Sequence, residues 1–345
     1  MAQIKIKGET ITKDTILAKR ELGYGVNVDK KIKVGDGTKT YENLPHLTDS
    51  NELSYLCEVD KNNPDGRNIA TVFADEIANY SNIYAFLAAR SNAGNFEGLH
   101  LGDYIDVPII TGTIAGYNIG AQTMRFRIVA FDPYYGYGDT ENGHHIIFFP
   151  DTNFGNIRYN PTNNNNGTAD QNNPWLASEL YAVANGVNNY STNSYNSVAH
   201  GADGGAGLIS LMPSTLTSLM KNLKILVPRR YSASGLLTMN NETMWVNRGK
   251  LFALTEPEAY GMPIHTAGDK DANGYNRECM GTPVGFPYLV GSAGKRNHRC
   301  NRASWWLAAV PSGSSTLACV VGYGGYAYAY DCSNTTIGAR LGFAI

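Results

Sequence analysis

Apolar and polar positions along this chain change period from one segment to the next. Gln3-Ile4-Lys5-Ile6-Lys7 and Lys31-Ile32-Lys33-Val34 alternate polar with apolar, so each predicts a short strand with one buried face. Gly35-Asp36-Gly37 then supplies a turn that tolerates positive φ. Strands this short cannot close a core alone. Residues 1–48 therefore predict a small β-rich module completed by a partner, and identical neighbours in an oligomer are the simplest one. Residues 49–67 are polar and end in Lys61-Asn62-Asn63-Pro64-Asp65-Gly66, the composition of a linker. Beyond it Phe73, Ile77, Tyr80, Tyr84 and Leu87 keep heptad spacing, which predicts a helix over Asn68 to Arg90. Both a helix packed on its own domain and a short trimer-axis helix fit that stretch.

Residues 49–95 thus read as linker and helix, and residues 96–345 as one larger α+β domain. Val107 to Ile114 and Met124 to Phe131 have strand length and strand pattern. Trp175 to Ala184 predicts a short helix, started by Pro174 and stopped by Gly186. Leu216, Leu219, Met220 and Leu223 predict a second, with Ser214 as its cap. Residues 185–207, rich in Asn, Ser and Gly, read as an exposed insertion, and short strands and turns follow residue 245.

Composition narrows the function classes. Charged residues are 17% of the chain, below the roughly 25% of ordinary soluble domains, while Tyr (22) and Gly (37) are abundant. A net charge of -2 lacks the basic footprint of a general nucleic-acid binder. No apolar run reaches the ~20 residues of a membrane span, so no membrane insertion is expected. The opening MAQIKIKGETITKDT has no apolar core of a secretory signal, and the expectation is synthesis in a cytoplasm without export. Cys57, Cys279, Cys300, Cys319 and Cys332 show no metal-ligand spacing and read as reduced, partly buried thiols. A Cys300–Cys319 or Cys319–Cys332 bridge is the alternative.

Several short motifs carry residue types capable of chemistry. Glu256-Pro257-Glu258 lacks the partner carboxylates and amides that a calcium ion needs, about six to eight oxygens in all, and reads as a turn. His144 and His145 are adjacent, so their side chains diverge on a strand, and a structural or exposed role follows. Asp269, Asp271, Asn273 and Gly274 resemble a calcium loop whose distal acid would fall at Met280, where none stands. Lys295-Arg296-Asn297-His298-Arg299 with Arg302 is a basic cluster that fits a solvated loop, an acidic polysaccharide or a neighbouring subunit. Nucleophile elbow, P-loop and dinucleotide fingerprint are absent, so the reading contains no catalytic residue, metal or cofactor.

Residues 303–345 carry the strongest signal. They hold two charges, Asp331 and Arg340, and no Lys, with Trp305, Trp306, Tyr323, Tyr326, Tyr328 and Tyr330 set among Ser, Gly, Thr and Ala. Tyrosine offers a large amphipathic contact area for two side-chain torsions, and Ser, Gly and Asn add adaptable hydrogen bonding, as in an antibody paratope. Tyr326, Tyr328 and Tyr330 alternate with Ala327 and Ala329, which places the three rings on one face of a strand. Such a face is either a binding surface or one buried side of a core strand. Trp305-Trp306-Leu307 and Gly338 to Ile345 are apolar and predict buried strands bracketing it.

Two resemblances sharpen this. Leu22-Gly23-Tyr24-Gly25, Lys31-Ile32-Lys33-Val34-Gly35-Asp36-Gly37-Thr38 and Tyr41-Glu42-Asn43-Leu44-Pro45 resemble the N-terminal module of phage tail-fibre proteins and major tropism determinants. That likeness implies a trimeric, virion-proximal attachment module that meets tail or baseplate proteins. WWLAAVPSGSS, CVVGYGG and GARLGFAI resemble the C-terminal region of C-type-lectin-like variable proteins of diversity-generating retroelements. Phe126 to Asp132 and Leu251 to Glu256 with Tyr260-Gly261 extend the likeness over residues 96–345. Ala308-Ala309 and Ala344 depart from the Arg-Ser and Cys usual there.

The resemblance implies a C-type-lectin-like fold whose variable slots are Ser312, Ser314, Ser315, Thr316, Ala318, Val321, Tyr323, Tyr326, Tyr328, Tyr330, Asp331, Asn334 and Thr335. The expected function is a homotrimeric receptor-binding adhesin at a tail-fibre tip, recognising a protein or glycan on a bacterial surface. A glycan-cleaving tail enzyme and a bacterial surface adhesin are the competing readings.

Overall fold

The computed structural model describes residues 63, 65–136, 142–165, 174–176, 178–187, 206–226, 245–262, 264–265, 285–290, 302–311, 314 and 316–345, together with four N-terminal strands. The chain divides into two compact units, residues 1–59 and 60–345. The first is a sheet of β1 (Lys5–Ile6), β2 (Glu21–Tyr24), β3 (Ile32–Val34) and β4 (His46–Thr48), in that order. β1 and β2 run parallel, whereas the other pairs are antiparallel. The two alternating segments of the sequence supply β1 and β3. The turn expected at Gly35 to Gly37 lies outside the described residues.

The second unit is a mixed α and β structure of antiparallel sheets and short helices. It opens on α1 (Ile69–Val72), α2 (Ala74–Ile77) and α3 (Ile83–Asn92) rather than on the single helix that heptad spacing predicts. The break between α1 and α2 falls at Phe73, and asparagine amides separate α2 from α3. Asn79 Nδ2 donates back to the carbonyls of Asp75 and Glu76, and Asn82, in extended backbone, accepts from the N–H groups of Tyr84 and Ala85 at 3.0 Å each. Such side-chain bonds compete with helix continuation and favour a cap. Phe73 and Leu87 are buried while Tyr80 is exposed, so no continuous seam survives for a trimer axis. α3 packs on its own domain, where Ser91 Oγ donates to the Ile345 carbonyl at 2.6 Å.

β5 (Tyr104–Ile109) leads to a hairpin of β6 (Gly112–Ile114) and β7 (Tyr117–Ile119), then to β8 (Gln122–Phe131) and β9 (Ile146–Pro150). All five residues of β9 are buried, which explains its unbroken apolar run. α4 (Glu179–Asn185) starts four residues later than Pro174-Trp175 predicts, because Ser178 Oγ accepts from Tyr181 N–H and caps it. Trp175 instead donates its indole N–H to the Arg248 carbonyl at 2.8 Å. Gly186, at φ 66°, ends the helix as expected. A 3₁₀ turn (Leu208–Leu211) precedes α5 (Ser214–Thr217), where Pro213 holds the cap position and Ser214 lies inside the helix. Leu223 lies beyond its end and is buried on its own account.

β10 (Lys224–Leu226) and β11 (Trp245–Asn247) form a second hairpin, followed by β12 (Leu251–Phe252), α6 (Glu256–Tyr260) and α7 (Pro287–Val290). The turn expected at Glu256-Pro257-Glu258 is helix α6, capped by a reciprocal Thr255–Glu258 box. Glu258 is no calcium ligand. Its carboxylate takes Arg248 in two hydrogen bonds of 2.5 and 2.9 Å, and the Tyr134 phenol donates to it. β13 (Trp305–Trp306), β14 (Leu317–Val321), β15 (Ala327–Asp331) and β16 (Gly342–Ala344) complete the unit. Besides the two-stranded β6-β7 and β10-β11, the unit holds a five-stranded sheet β12-β16-β9-β8-β5 and a three-stranded sheet β13-β14-β15. Among the described residues no helix is long and apolar enough to cross a membrane, and no group of three acidic, His or Cys residues could hold a metal. Asp269 to Met280, the cluster at 295–299, most of 185–207, and Cys57, Cys279 and Cys300 lie outside them.

The adjacent histidines lie in the loop just before β9, and their side chains diverge. His144 Nδ1 meets Asp132 at 2.5 Å and its ring stacks on Tyr135 at 4.0 Å. His145 is buried, donates from Nδ1 to the Gly143 carbonyl and accepts at Nε2 from the Tyr134 N–H. Burial lowers the His145 pKa from 6.5 to about 4, against the pull of the Gly143 carbonyl and Asp132. The unfolded chain binds that proton first, so stability falls as pH drops from 6.5 to about 4, by up to about 3 kcal/mol. Denaturant unfolding between about pH 7 and 4.5 should show a shallower loss for His145→Asn than for the wild type. Equal slopes would show that His145 does not carry the effect.

Candidate functional site

The three-stranded sheet places the tyrosine-rich segment. β14 lies between β13 and β15 and pairs with both antiparallel, Trp306 opposite Val320 and Val320 opposite Tyr328. β13 anchors the sheet. Trp305 and Trp306 have no exposed surface, and the Trp306 indole N–H donates to the Ile157 carbonyl at 2.7 Å. The Trp305 ring lies 5.2 Å from Phe149 and 5.2 Å from the Arg340 guanidinium. Arg340 is buried, donates to the Pro150 carbonyl at 2.7 Å, and keeps its proton at neutral pH although burial lowers its pKa to about 10.

β15 presents the opposite character. Tyr323, Tyr326 and Tyr328 are 63%, 45% and 46% exposed, and Tyr330 is half-buried. Successive ring centroids lie 5.7, 6.1 and 5.0 Å apart from Tyr323 to Tyr330, each pair edge to face. These are the separations and angles that aromatic quadrupoles favour, so the rings brace one another in a row. Gly322 makes room for the row: a Cβ there would stand 2.6 Å from the Tyr326 ring. Gly325, at φ 82°, turns the chain back, and its N–H donates to the Gly322 carbonyl at 2.7 Å. Partial desolvation, then the phenols of Tyr323, Tyr330 and Tyr328, hold the Tyr326 phenol above its usual pKa. Asp331, exposed at the end of β15, is the charge beside it.

The remaining predicted positions separate. Thr316, Asp331 and Thr335 are exposed, and Ser314 and Asn334 half-buried. Asn334 Oδ1 accepts from Thr336 N–H and Oγ1 at 2.7 Å each, which closes a turn after β15. Ala318 and Val321 differ from these: both lie on the central strand and have no exposed surface. Ser312 and Ser315 lie outside the described residues.

Sequence reasoning passed over the asparagines that tie this segment down. Asn165 is buried and donates to the Ser314 carbonyl at 3.1 Å and to the Leu317 carbonyl. Asn163 Oδ1 accepts from Ser333 N–H at 3.0 Å and Oγ at 2.5 Å. The Tyr159 and Asn160 N–H groups donate to the Cys332 carbonyl at 2.9 Å each. Asn163 and Asn165 belong to the run Asn163-Asn164-Asn165-Asn166, but nothing in its pattern names partners so far along the chain. A cleft of about 360 Å³ lined by Asn142, Gly143, Lys221, Asn222, Leu223, Lys224 and Asn247 takes no residue from the display segment.

Comparison with known proteins adds no relative: no family model, curated protein or solved structure matches the chain. The stability of the frame and of the row should therefore be separated by mutation. Trp305→Ala or Trp306→Ala should lower stability by about 3–5 kcal/mol through lost core burial. Tyr326→Ala and Tyr328→Ala should stay within about 0.5 kcal/mol, as exposed positions do. Thermal or denaturant unfolding of the four variants reads both. If the Tyr variants melt as low as the Trp variants, the rings belong to the core.

Proposed function

We propose that this chain is a phage receptor-binding protein at a tail-fibre tip, whose C-type-lectin-like domain displays residues 314–335 to a bacterial surface receptor. One observation carries the reading: an uncharged row of exposed tyrosines held on a buried tryptophan frame. Large exposed aromatic area on a rigid support suits contact better than turnover, because few rotatable bonds are lost on binding. Within residues 314–335 Asp331 is the one acid, and the segment contains no His, Lys or Arg to serve as a base. The uncharged row favours binding through area and hydrogen bonds, with little dependence on salt.

In this reading residues 1–48 attach the fibre to tail or baseplate proteins and assemble three copies. The sequence resemblance and the short, small strands of the first unit support it. Mass photometry should then find a species of three chains, and removal of residues 1–59 should release folded monomers. A wild-type chain that stays monomeric at micromolar concentration would sink the assembly claim.

The binding claim is tested on a panel of bacterial cells. Tyr326→Ala or Tyr328→Ala should weaken adsorption by about 5- to 150-fold, equivalent to about 1–3 kcal/mol, since aromatic residues dominate such surfaces. Thr316 should accept many residues while the set of recognised cells changes. Adsorption unchanged in both Tyr variants would remove the row from the binding site.

A further inference from the structure

Among the described residues β15 is an edge strand of its sheet, and Ala327–Asp331 lacks the Lys, Pro or bulge that ordinarily protects an edge. The register shows which backbone groups are used. Gly322 N–H donates to the Tyr326 carbonyl at 2.7 Å, and Cys332 N–H to the Thr316 carbonyl at 2.9 Å. Hydrogen-bonded and open positions alternate along an antiparallel pair. Tyr326, Tyr328, Tyr330 and Cys332 therefore turn their backbone groups toward β14, while Ala327, Ala329 and Asp331 turn theirs outward. The Asp331 carbonyl is taken, accepting from Asn334 N–H at 2.9 Å. The N–H and C=O of Ala327 and Ala329 have no hydrogen-bond partner among the described residues.

Resting on the receptor-binding reading above, we infer that this edge takes an extended polypeptide segment of the receptor as an added strand. Two N–H and C=O pairs, about 7 Å apart at alternate residues, match the repeat of an extended backbone. A glycan hydroxyl donates or accepts in either place and gains nothing from that ordered alternation. The side chains on the two faces of β15 then set what the guest strand meets. On one face its alternate residues lie beside the Tyr326–Tyr328–Tyr330 row, and on the other beside the small side chains of Ala327 and Ala329. Main-chain bonds would hold the guest in register, and the rings would select its side chains.

Proline is tolerated in an edge strand where its nitrogen faces outward, so Ala329→Pro removes one outward donor and keeps the rings. Wild-type protein is panned against random linear peptides of about eight residues, a strand's length, and in parallel against an array of bacterial surface glycans. Selected peptides should bind Ala329→Pro at least about ten-fold more weakly than the wild type. In the wild type, a selected peptide should slow exchange of the Ala327 and Ala329 amides by at least about ten-fold, a measurement that holds even if the variant misfolds. Peptides bound equally by both proteins, unchanged amide exchange, or binding of glycans alone would each overturn strand addition. In those cases the receptor-surface reading still stands if Tyr328→Ala loses adsorption, and falls with it if adsorption is kept. An even-numbered wild-type assembly that Ala329→Pro dissolves would assign the edge to a second copy and also overturn the inference.

Discussion

The larger unit is organised around Gly342–Ala344, a strand late in the sequence that lies near the middle of its sheet. β16 pairs with β12 on one side and β9 on the other, and every one of its residues is buried. Gly342 is there because nothing larger fits: a Cβ would stand 2.7 Å from the Phe148 carbonyl oxygen. Phe343 follows and packs its ring 5.0 Å from Phe126 and 5.3 Å from Phe148. Ile345 then exchanges backbone hydrogen bonds with Ile146 and accepts from Ser91 Oγ. Contacts spanning so much sequence must close before either neighbouring strand is covered. The segment just before β16 is thereby a stretch of chain held at both ends, by Trp305–Trp306 and by Gly342–Ala344.

That arrangement inverts the ordinary distribution of charge. Arg248, Glu258 and Arg340 are buried, each held by carbonyls, a carboxylate or aromatic faces, while the outer strand carries tyrosine. A buried ion pair costs desolvation and is weak evidence of net stability, but removing one partner strands a charge and costs about 3–5 kcal/mol. The buried charges therefore penalise alternative packings of the frame. The display strand has no such constraint. Thr316, Tyr323, Tyr326 and Tyr328 can change without exposing a buried polar group, because among the described residues the sheet's buried anchors lie on β13 and β14.

What could be read in the sequence follows the physics of each signal. Alternation marked β1, β3 and β8, and the tyrosine pattern marked one exposed face, because a strand's period is local, whereas the strand expected over Val107 to Ile114 divides between β5, which begins at Tyr104, and β6. The helix boundaries failed wherever a polar side chain capped the backbone ahead of the apolar pattern, at Asn82 and Ser178. Glu258 could not be placed because a buried carboxylate is defined by a distant partner, Arg248 and Tyr134 together. The burial of Ala318 and Val321 was equally illegible, since it depends on what packs over the faces of β14 and not on any spacing within the strand. The clamps from Asn163 and Asn165 were invisible, since one amide can bond almost any backbone group and spacing does not identify which.

The tyrosine row and the open edge belong to one strand, and that coincidence has a physical consequence. A strand whose side chains alternate in and out must spend half its backbone groups on its neighbour and turn the other half away. Because Tyr326, Tyr328 and Tyr330 occupy the paired positions, their main chain is fixed by β14 and their rings have a rigid base. Because Ala327 and Ala329 occupy the unpaired ones, the outward N–H and C=O groups carry no bulky side chain at those residues. Had the register slipped by one residue, the rings would sit at the loosely held positions and the alanines at the paired ones. Gly322 fits the same register, since it lies opposite Tyr326 and leaves the space its ring fills. Rigidity of the aromatic surface and accessibility of the backbone edge thus come from a single choice of pairing, set by the Gly322–Gly325 turn.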